Sequence, residues 1–232
     1  MMLMKMRVLV CGLLLVGLAT PVLAGSSRSD DVSRIQAATD VFKEIVDTPE
    51  SSIPLDLLQS ASCIAIIPGQ MHFAFIVGAN YGKGIVVCRI GDKPSRTWSP
   101  PAFVMISGGS FGFQIGGAST DLILVFRNRN GLKKLLSDKF KIGGEATAAA
   151  GPVGRHASAS TDLQLHAQIL SYSRSRGVFA GISLAGAVFQ PDHDGDVAMY
   201  GETMDSETIL NGKVVAPPEA AELLAEVKKY AL

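Results

Sequence analysis

The spacing of apolar residues predicts helices at both ends of the chain. Over residues 30–47 apolar positions recur every three or four residues, which is the period of an amphipathic helix. Residues 54–59 predict a second, short helix that begins with a proline. Near the C-terminus, residues 217–219 open a last helix in which acidic residues come early and lysines come late, as the helix dipole favours.

Between these helices the pattern changes to that of strands. Short β-branched and aromatic runs, broken by glycine, proline and asparagine, predict strands over 63–67, 73–79, 85–90, 102–107, 111–116, 121–127 and 141–149. Residues 68–69 and 80–84 have the composition of hairpin turns. A helix-like island at 132–140 interrupts the strands.

The later part of the chain predicts a curved sheet. Alternation over 163–169, a turn at 173–177 and a long apolar run over 178–190 predict a hairpin with one face in water. Residues 108–186 contain 13 glycines, and glycine weakens a strand unless the backbone bends or another element approaches closely. The predicted fold is therefore α+β: a curved, glycine-rich antiparallel sheet, partly closed like a barrel, with flanking N- and C-terminal helices.

The first 24 residues have the composition of a signal peptide. Lys5 and Arg7 precede an apolar run at 8–18, and small residues follow at 22–24. The run is shorter than the 20 or so apolar residues that a membrane span needs. Because Gly25 rather than cysteine follows this site, we expect a secreted or periplasmic protein and not a lipoprotein.

The overall charge is too balanced to indicate nucleic-acid binding. The chain is 47% hydrophobic and 18% charged, which is typical of a folded globular protein. Residues 25–232 carry 19 basic and 21 acidic side chains, a net charge of about −2. Their two cysteines, Cys63 and Cys88, both lie in apolar runs. Either they pair in an oxidising compartment or they are two buried thiols.

The distribution of charge is more informative than its sum. Residues 121–176 hold nine basic and four acidic side chains, a net charge of +5, so the rest of 25–232 is −7. Cations beside leucines suit an anionic lipid headgroup, each contributing about 1 kcal/mol near a membrane surface. The alternatives are ordinary solvated turns or an internal match to the acidic segment 192–207. The candidate lipid-binding residues are Arg127, Arg129, Lys133, Lys134, Lys139, Lys141, Arg155, Arg174 and Arg176.

Two motifs with catalytic or metal-binding composition are weaker evidence of function than the charge distribution. Ser110 lies in a G-x-S-x-G pattern, but the alternation after it is that of a strand, whereas a hydrolase elbow leads into a helix. Asp192, Asp194 and Asp196 have the composition of a calcium loop without the further ligands of an EF-hand, so a solvated turn is the favoured interpretation. We therefore expect no enzyme activity and no cofactor.

Five further motifs occur in order and are similar to those of the SYLF domain family. They are Trp98-Ser99-x-Pro101, Gly109-x-Phe111-Gly112-x-Gln114-Ile115-Gly116, Thr120-Asp121, Gly151-Pro152-x-Gly154-Arg155 and Tyr172-Ser173-x-Ser175-x-Gly177-x-Phe179-Ala180-Gly181. With its end near Tyr200-Gly201, the resemblance covers 53–201. It implies a SYLF-like domain preceded by a signal peptide (1–24) and an N-terminal helical segment (25–52), and followed by a C-terminal extension with a helix (202–232).

The resemblance implies a non-enzymatic module that binds phosphoinositides or other anionic phospholipids, with fungal endocytic members also binding actin. A lone domain behind a secretion signal resembles the bacterial members. In some eukaryotic members a basic helix precedes the domain, but helix 30–47 here has a net charge of −3, so the basic middle is the candidate membrane contact. The alternative functions are a cell-envelope structural or protein-interaction module, with actin binding only after delivery to a host cell, and a serine hydrolase using Ser110.

Overall fold

The computed structural model describes residues 26–48, 53–75, 77–92, 96–111, 116–128, 140–142, 147–152, 166–175, 178–181, 184, 186–202 and 204–231. The helices in these ranges are α1 (Arg28–Asp47), α2 (Leu55–Ser60), α3 (His193–Tyr200), α4 (Ser206–Leu210) and α5 (Ala221–Ala231), which follows a 3-10 turn (Pro218–Ala220). The strands are β1 (Cys63–Phe75), β2 (Val77–Ile90), β3 (Thr97–Trp98), β4 (Ala102–Phe111), β5 (Gly116–Phe126), β6 (Phe140–Lys141), β7 (Ala148–Ala150), β8 (Ile169–Ser175), β9 (Val178–Gly181) and β10 (Val188–Pro191).

The terminal helices form where the sequence predicts them. Ser27 caps α1, its side chain accepting a hydrogen bond from the N–H of Asp30 at 3.3 Å. The C-terminal helix follows Pro217 and ends with Lys228 and Lys229 in its last turn. No helix in the described ranges is both long enough and apolar enough to cross a membrane.

The strands form one strongly curled sheet. Their order is β6-β10-β4-β2-β1-β5-β8-β7, with β3 paired to β2 and β9 paired to β8. The Phe126 ring on β5 lies 6.3 Å from the Phe189 ring on β10, although three strands separate them in the sheet. This contact requires the sheet to curl into a half-barrel. The predicted α+β class is confirmed, with the difference that β7 and β8 pair parallel, so that the sheet is mixed.

Each face of the sheet packs into its own apolar core. Along β1, Ile64 and Ile66 face a core that α1, α2 and α5 close from outside, where Phe42 and Leu223 are fully buried. Cys63, Ala65 and Ile67, which alternate with them along β1, face the second core on the inside of the curl. The two-residue period of a strand therefore serves both cores at once.

The first hairpin differs from the prediction. Residues 68–69 are not a turn but a bulge inside β1, where the register against β5 shifts. Gly69 adopts φ +58°, a left-handed conformation that glycine tolerates best, and its N–H donates to Asp121 Oδ1 at 2.9 Å. Residues 80–84 also continue a strand, because Gly84 lets β2 pass the bulge: a Cβ there would lie 2.1 Å from the carbonyl oxygen of Ile66.

A disulfide joins the two central strands. Cys63 and Cys88 are opposite each other in the β1–β2 register, with Cα atoms 4.0 Å apart, and they are bonded. Both are fully buried on the inside of the curl. The pairing that the sequence leaves open is therefore decided by the register of two adjacent strands.

The later predicted elements are only partly matched. The predicted strand 178–190 is two strands, β9 and β10, and β10 leaves the hairpin to pair with β4 and β6. The predicted strand 141–149 is divided between β6 and β7. The predicted helix at 132–140 lies outside the described residues except for Phe140, which begins β6. The alternation of apolar and polar residues indicates a strand but does not indicate which strand it pairs with. The bounds of these strands depend on that pairing, so the sequence does not predict them.

Candidate functional site

Three of the nine candidate cations lie within the described residues. Arg127 follows β5, is exposed, and its Nη1 donates to the carbonyl oxygen of Ala167 at 3.5 Å. Lys141 ends β6, is exposed, and forms no ion pair with any carboxylate in the described part of the chain. The third is Arg174 on β8. The candidates outside the described residues are Arg129, Lys133, Lys134, Lys139, Arg155 and Arg176.

The curl of the sheet brings Arg127 and Lys141 towards each other. Their strands, β5 and β6, are five places apart in the sheet order. Phe126 nevertheless contacts Phe189, which is paired in register with Phe140. Arg127 and Lys141 each follow one of these phenylalanines. The stretch of sequence between them, which contains four other candidate cations, therefore starts and ends on neighbouring parts of the curled sheet.

Arg174 is held by two carboxylates. Its Nε and Nη2 lie 2.8 Å and 2.5 Å from Asp121 Oδ2, and its Nη1 contacts the Glu44 carboxylate of α1. Asp121 is the residue opposite Arg174 in the β5–β8 pair. Because the side chain of Arg174 is only 22% exposed, these ion pairs fix α1 to the sheet at this point.

A second group of charges lies near the other end of α1. Arg34 Nη1 lies 2.9 Å from Asp192 Oδ2, and Arg34 Nη2 lies 3.1 Å from Asp31 Oδ1. Lys83 Nζ of β2 lies 2.8 Å from the same Asp192 oxygen. Burial raises the pKa of Asp31, although Ser26 and Arg34 act in the opposite direction. Sequence order does not reveal this group, because its members come from three distant segments.

These two groups show how α1 crosses the sheet. Arg34 and Glu44 are ten residues apart on one helix, a rise of about 15 Å. Arg34 shares Asp192 with Lys83 of β2, and Glu44 contacts Arg174 of β8. Strands β2 and β8 are three strand spacings apart, which is about 14 Å. Helix α1 therefore runs across the strands, close to the bulge at Gly69, which Asp121 binds. We name the charged residues along this line the polar belt: Arg34, Glu44, Lys83, Asp121, Arg174 and Asp192.

The acidic run at 192–196 is not the solvated turn that the sequence favours. It forms the N-terminal part of α3, with Asp192 and Asp196 buried. Asp196 accepts hydrogen bonds from the N–H of Phe103 at 2.8 Å and from the hydroxyl of Ser206. Burial raises the pKa of Asp196 to about 6. These carboxylates join α3 to α1, β4 and α4, and the described residues contain no cluster of three metal-binding side chains.

Ser110 does not occupy a nucleophile elbow. It is the second-to-last residue of β4, where it is paired with Gly78 of β2, and Phe111 continues the strand. The acid and histidines that follow Ser110 in the order of a hydrolase triad are Asp162, which lies outside the described residues, and His166 and His193, which are exposed. The strand-to-helix turn that exposes a catalytic serine is therefore not present at Ser110.

Comparison with known proteins shows several relatives. Residues 107–230 match the family model described as "Ysc84: Las17-binding protein actin regulator". The chain is 32% identical over 178 residues to SH3 domain-containing protein PJ696.02 of Schizosaccharomyces pombe, covering 75% of this chain and 40% of that protein. It is 31% identical over 185 residues to SH3 domain-containing YSC84-like protein 1 of Mus musculus, covering 78% and 53% respectively. For LAS seventeen-binding protein 3 of Saccharomyces cerevisiae, the identity is 29% over 182 residues, covering 77% and 39%.

The chain thus spans about half or less of the length of these relatives, whereas the matches cover about three quarters of the chain itself. The family model alone covers more than half of the chain, and this region includes all nine candidate cations and four of the five motifs in full. The family is one of binding modules rather than of known enzymes. The chain belongs to the SYLF, or Ysc84, domain family.

Proposed function

We propose that this protein binds anionic phospholipid headgroups, phosphoinositides among them, and catalyses no reaction. The observation that carries the proposal is its membership of a family whose domains bind lipids and actin, over a region that holds all nine candidate cations. A headgroup phosphate is recognised by lysine and arginine side chains, which this region has in excess.

The geometry supports a membrane contact centred on the sequence from Arg127 to Lys141. Both end residues are exposed and lie on neighbouring parts of the sheet. This stretch holds six cations and one acid, Asp138, a net charge of +5. At about 1 kcal/mol for each net charge, the attraction to an anionic leaflet is about 5 kcal/mol before the cost of association. Helix α1 is unsuited to that role, because Asp40, Glu44 and Asp47 are exposed on it.

The proposal includes a location outside the cytoplasm, in a bacterial envelope or secreted. The signal-like composition of residues 1–24 motivates this, and the Cys63–Cys88 disulfide supports it, because such bonds persist in oxidising compartments. An exported protein meets anionic lipid at the membrane it leaves. It meets actin only if it reaches a host cell.

Vesicle co-sedimentation tests the proposal. The full chain, expressed with its leader and purified after export, is mixed with phosphatidylcholine vesicles containing increasing phosphatidylglycerol or a phosphoinositide. We expect binding that rises with anionic lipid and falls steeply with salt. Absence of binding to every anionic composition, in low salt, would contradict the proposal.

A charge-reversal pair locates the contact. Lys133→Glu with Lys134→Glu should weaken binding by at least about 30-fold, the equivalent of about 2 kcal/mol for two lost cations. Lys228→Glu with Lys229→Glu makes the same change of net charge on α5, where both lysines are exposed. Equal losses from the two pairs would mean that net charge, not the basic middle, governs binding.

A second candidate function is a protein-interaction module of the cell envelope. The family description, which names a binding partner and an actin-regulating role, favours it. The exposed acids Asp194, Glu202, Asp205 and Glu207 offer a partner surface on and after α3. Recovery of one stoichiometric protein from envelope extract, with no lipid bound, would support this function over the first.

A further inference from the structure

Part of the sheet face that packs under the helices extends beyond them. On β4, Val104 and Ile106 face the second core inside the curl, whereas Phe103 faces the first core under the helices. Met105 and Ser107 alternate with the inward residues, so they lie on the same face as Phe103. Both are partly exposed, whereas Phe103 is fully buried. The helical layer therefore ends between residues 103 and 105 of this strand.

Strand register places seven residues on this uncovered face, in two rows that run across β6, β10, β4 and β2. Neighbouring positions within a row are about 4.8 Å apart, because they belong to paired strands. The first row is Lys141, Val188, Ser107 and Tyr81, and the second row is Gln190, Met105 and Lys83.

The first row is open to solvent, and its polar groups have no partners. At its two ends Tyr81 is 47% exposed and Lys141 is exposed, and Ser107 between them is partly exposed. Among the described residues, no carboxylate pairs with the Lys141 ammonium, and neither hydroxyl of the row makes a hydrogen bond. In the second row Lys83 differs, because Asp192 neutralises it. The first row thus offers one uncompensated positive charge and two hydroxyl groups.

This set of groups matches a phosphodiester with one negative charge. Phosphate oxygens accept hydrogen bonds from ammonium and hydroxyl donors, and those from an ammonium are among the stronger ones. The ammonium of Lys141 is carried on a flexible four-carbon stem, so it can extend over Val188 towards Ser107, about 10 Å away across two strand spacings. A single phosphate between Lys141 and Ser107 is within reach of both.

The size of the face favours a lipid headgroup over a protein partner. The two rows span three strand spacings by two residues, roughly 14 Å by 7 Å. That is on the order of 100 Å², whereas a specific protein interface takes about 800 Å² from each partner. Lys141 also ends the basic stretch that begins at Arg127, so this face adjoins the proposed membrane contact.

We infer that Lys141, Ser107 and Tyr81 form a subsite for the phosphodiester of one anionic lipid headgroup. The Lys141 ammonium binds the phosphate, and the two hydroxyl groups donate to oxygens of the headgroup. This inference rests on the proposed function and specifies which headgroup class the domain recognises and with which residues. A headgroup with one phosphate and free hydroxyl groups, such as that of phosphatidylglycerol, fits this set.

Substitutions that leave the net charge unchanged test the subsite by vesicle co-sedimentation. Ser107→Ala should weaken binding to phosphatidylglycerol vesicles about tenfold, as for one lost hydrogen bond to a charged group. Tyr81→Phe, which removes only a hydroxyl, should also weaken binding. Ser119→Ala, at an exposed position of β5, is the matched control and should change binding less than about twofold. Circular dichroism confirms that each variant folds, and unchanged binding by folded Ser107→Ala would overturn the inference.

A double-mutant cycle tests whether two of these side chains hold the same phosphate. Lys141→Gln alone should weaken binding about fivefold, as for one cation near the membrane surface. Lys228→Gln makes the same change of net charge on α5 and should weaken binding less. Because side chains that share a ligand do not act additively, Lys141→Gln with Ser107→Ala should lose clearly less than the product of the single losses, about 50-fold. A loss equal to the product would show independent contacts and overturn the shared phosphate.

Soluble compounds distinguish a lipid headgroup from free phosphate. Glycerophosphoglycerol, the water-soluble head of phosphatidylglycerol, and inorganic phosphate are titrated separately into the exported chain, and the backbone amide signals of residues 81, 107 and 141 are followed by NMR. We expect shifts at these amides with glycerophosphoglycerol and much smaller ones with inorganic phosphate at the same concentration. Equal shifts with inorganic phosphate would assign the row to free phosphate and overturn the lipid assignment.

The outcomes also separate this inference from the proposed function. If Lys133→Glu with Lys134→Glu weakens vesicle binding but Ser107→Ala and Tyr81→Phe do not, the subsite is overturned and the proposed function stands. If the native protein sediments with no anionic vesicle, the proposed function fails and the subsite fails with it. If the two variants retain vesicle binding and lose a protein partner from envelope extract instead, the row is a protein contact and the subsite is overturned.

Discussion

Replacing Asp196 with asparagine should remove a specific pH dependence from the free energy of unfolding. Asp196 is fully buried and accepts hydrogen bonds from the N–H of Phe103 and the hydroxyl of Ser206. Burial is the main cause that raises its pKa from 3.8 to about 6. The folded state therefore binds a proton more tightly than the unfolded state does.

This difference in proton binding sets the direction in which the free energy of unfolding changes with pH. Asp196 stabilises the fold fully below its unfolded pKa of 3.8, and that stabilisation is lost as the pH rises through about 6. A shift of about two pKa units is worth about 3 kcal/mol in total, of which about 2 kcal/mol falls between about pH 7.5 and about pH 4.5. Asparagine cannot titrate, but its carbonyl oxygen can still accept the hydrogen bond from Phe103.

Urea unfolding at a series of pH values measures the effect. The informative quantity is the unfolding free energy of the native protein minus that of Asp196→Asn, because carboxylates such as Asp205 and Glu219, whose pKa values are lowered, contribute equally to both. We expect this difference to rise by about 2 kcal/mol from about pH 7.5 to about pH 4.5. Asp194→Asn, at an exposed position of the same helix, should give a flat difference. A flat difference for Asp196→Asn as well would refute the reasoning.

Three further perturbations test other parts of the structure. Glu44→Gln should strengthen vesicle binding a fewfold, because it removes one of the two carboxylates that neutralise Arg174 and leaves Asp121 in place. Asp40→Asn, the same charge change on α1, should act only through net charge; co-sedimentation compares them, and equal effects would count against the contact. Replacing Cys63 and Cys88 together with alanine should lower the unfolding free energy by about 3.5 kcal/mol, as expected for a loop closed over a separation of 25 residues, and an unchanged urea midpoint would show that the bond is not stabilising. Gly84→Ala should cost about 3 kcal/mol or more by urea unfolding, because its Cβ would meet backbone atoms of β1, and near-native stability would mean that the bulge adjusts freely.

Local patterns predict the helices well and the strands only in part. Both terminal helices are marked by periodic apolar residues and by flanking serine or proline, and such signals act within one or two turns. The bulge at Gly69 imitates a turn in sequence, because both features need a glycine in the left-handed conformation. The single predicted strand over 178–190 fails for a related reason: alternation does not reveal that β10 leaves the hairpin to pair with β4.

The candidate site, like the strands, could be predicted from the sequence only in part. The excess of cations between residues 121 and 176 is a property of the sequence, and the structure describes three of the nine. That Arg174 has carboxylate partners on two other elements becomes visible only when α1 is placed across the sheet. For Asp192 and Asp196 the prediction is wrong, because a run of acids predicts solvent exposure and both carboxylates are buried. Their burial is possible because Asp192 pairs with Arg34 and Lys83, and Asp196 accepts a hydrogen bond from a backbone N–H.

By itself, the sequence determined the α+β class, the terminal helices, the excess of cations in the middle of the domain and the motifs of its family, because composition and short-range periodicity are local properties of a chain. Only the tertiary structure decided whether Cys63 and Cys88 meet, where α1 crosses the strands, and which charged residues become partners. Those depend on strand register and on the curl of the sheet, both set by contacts between residues far apart in sequence.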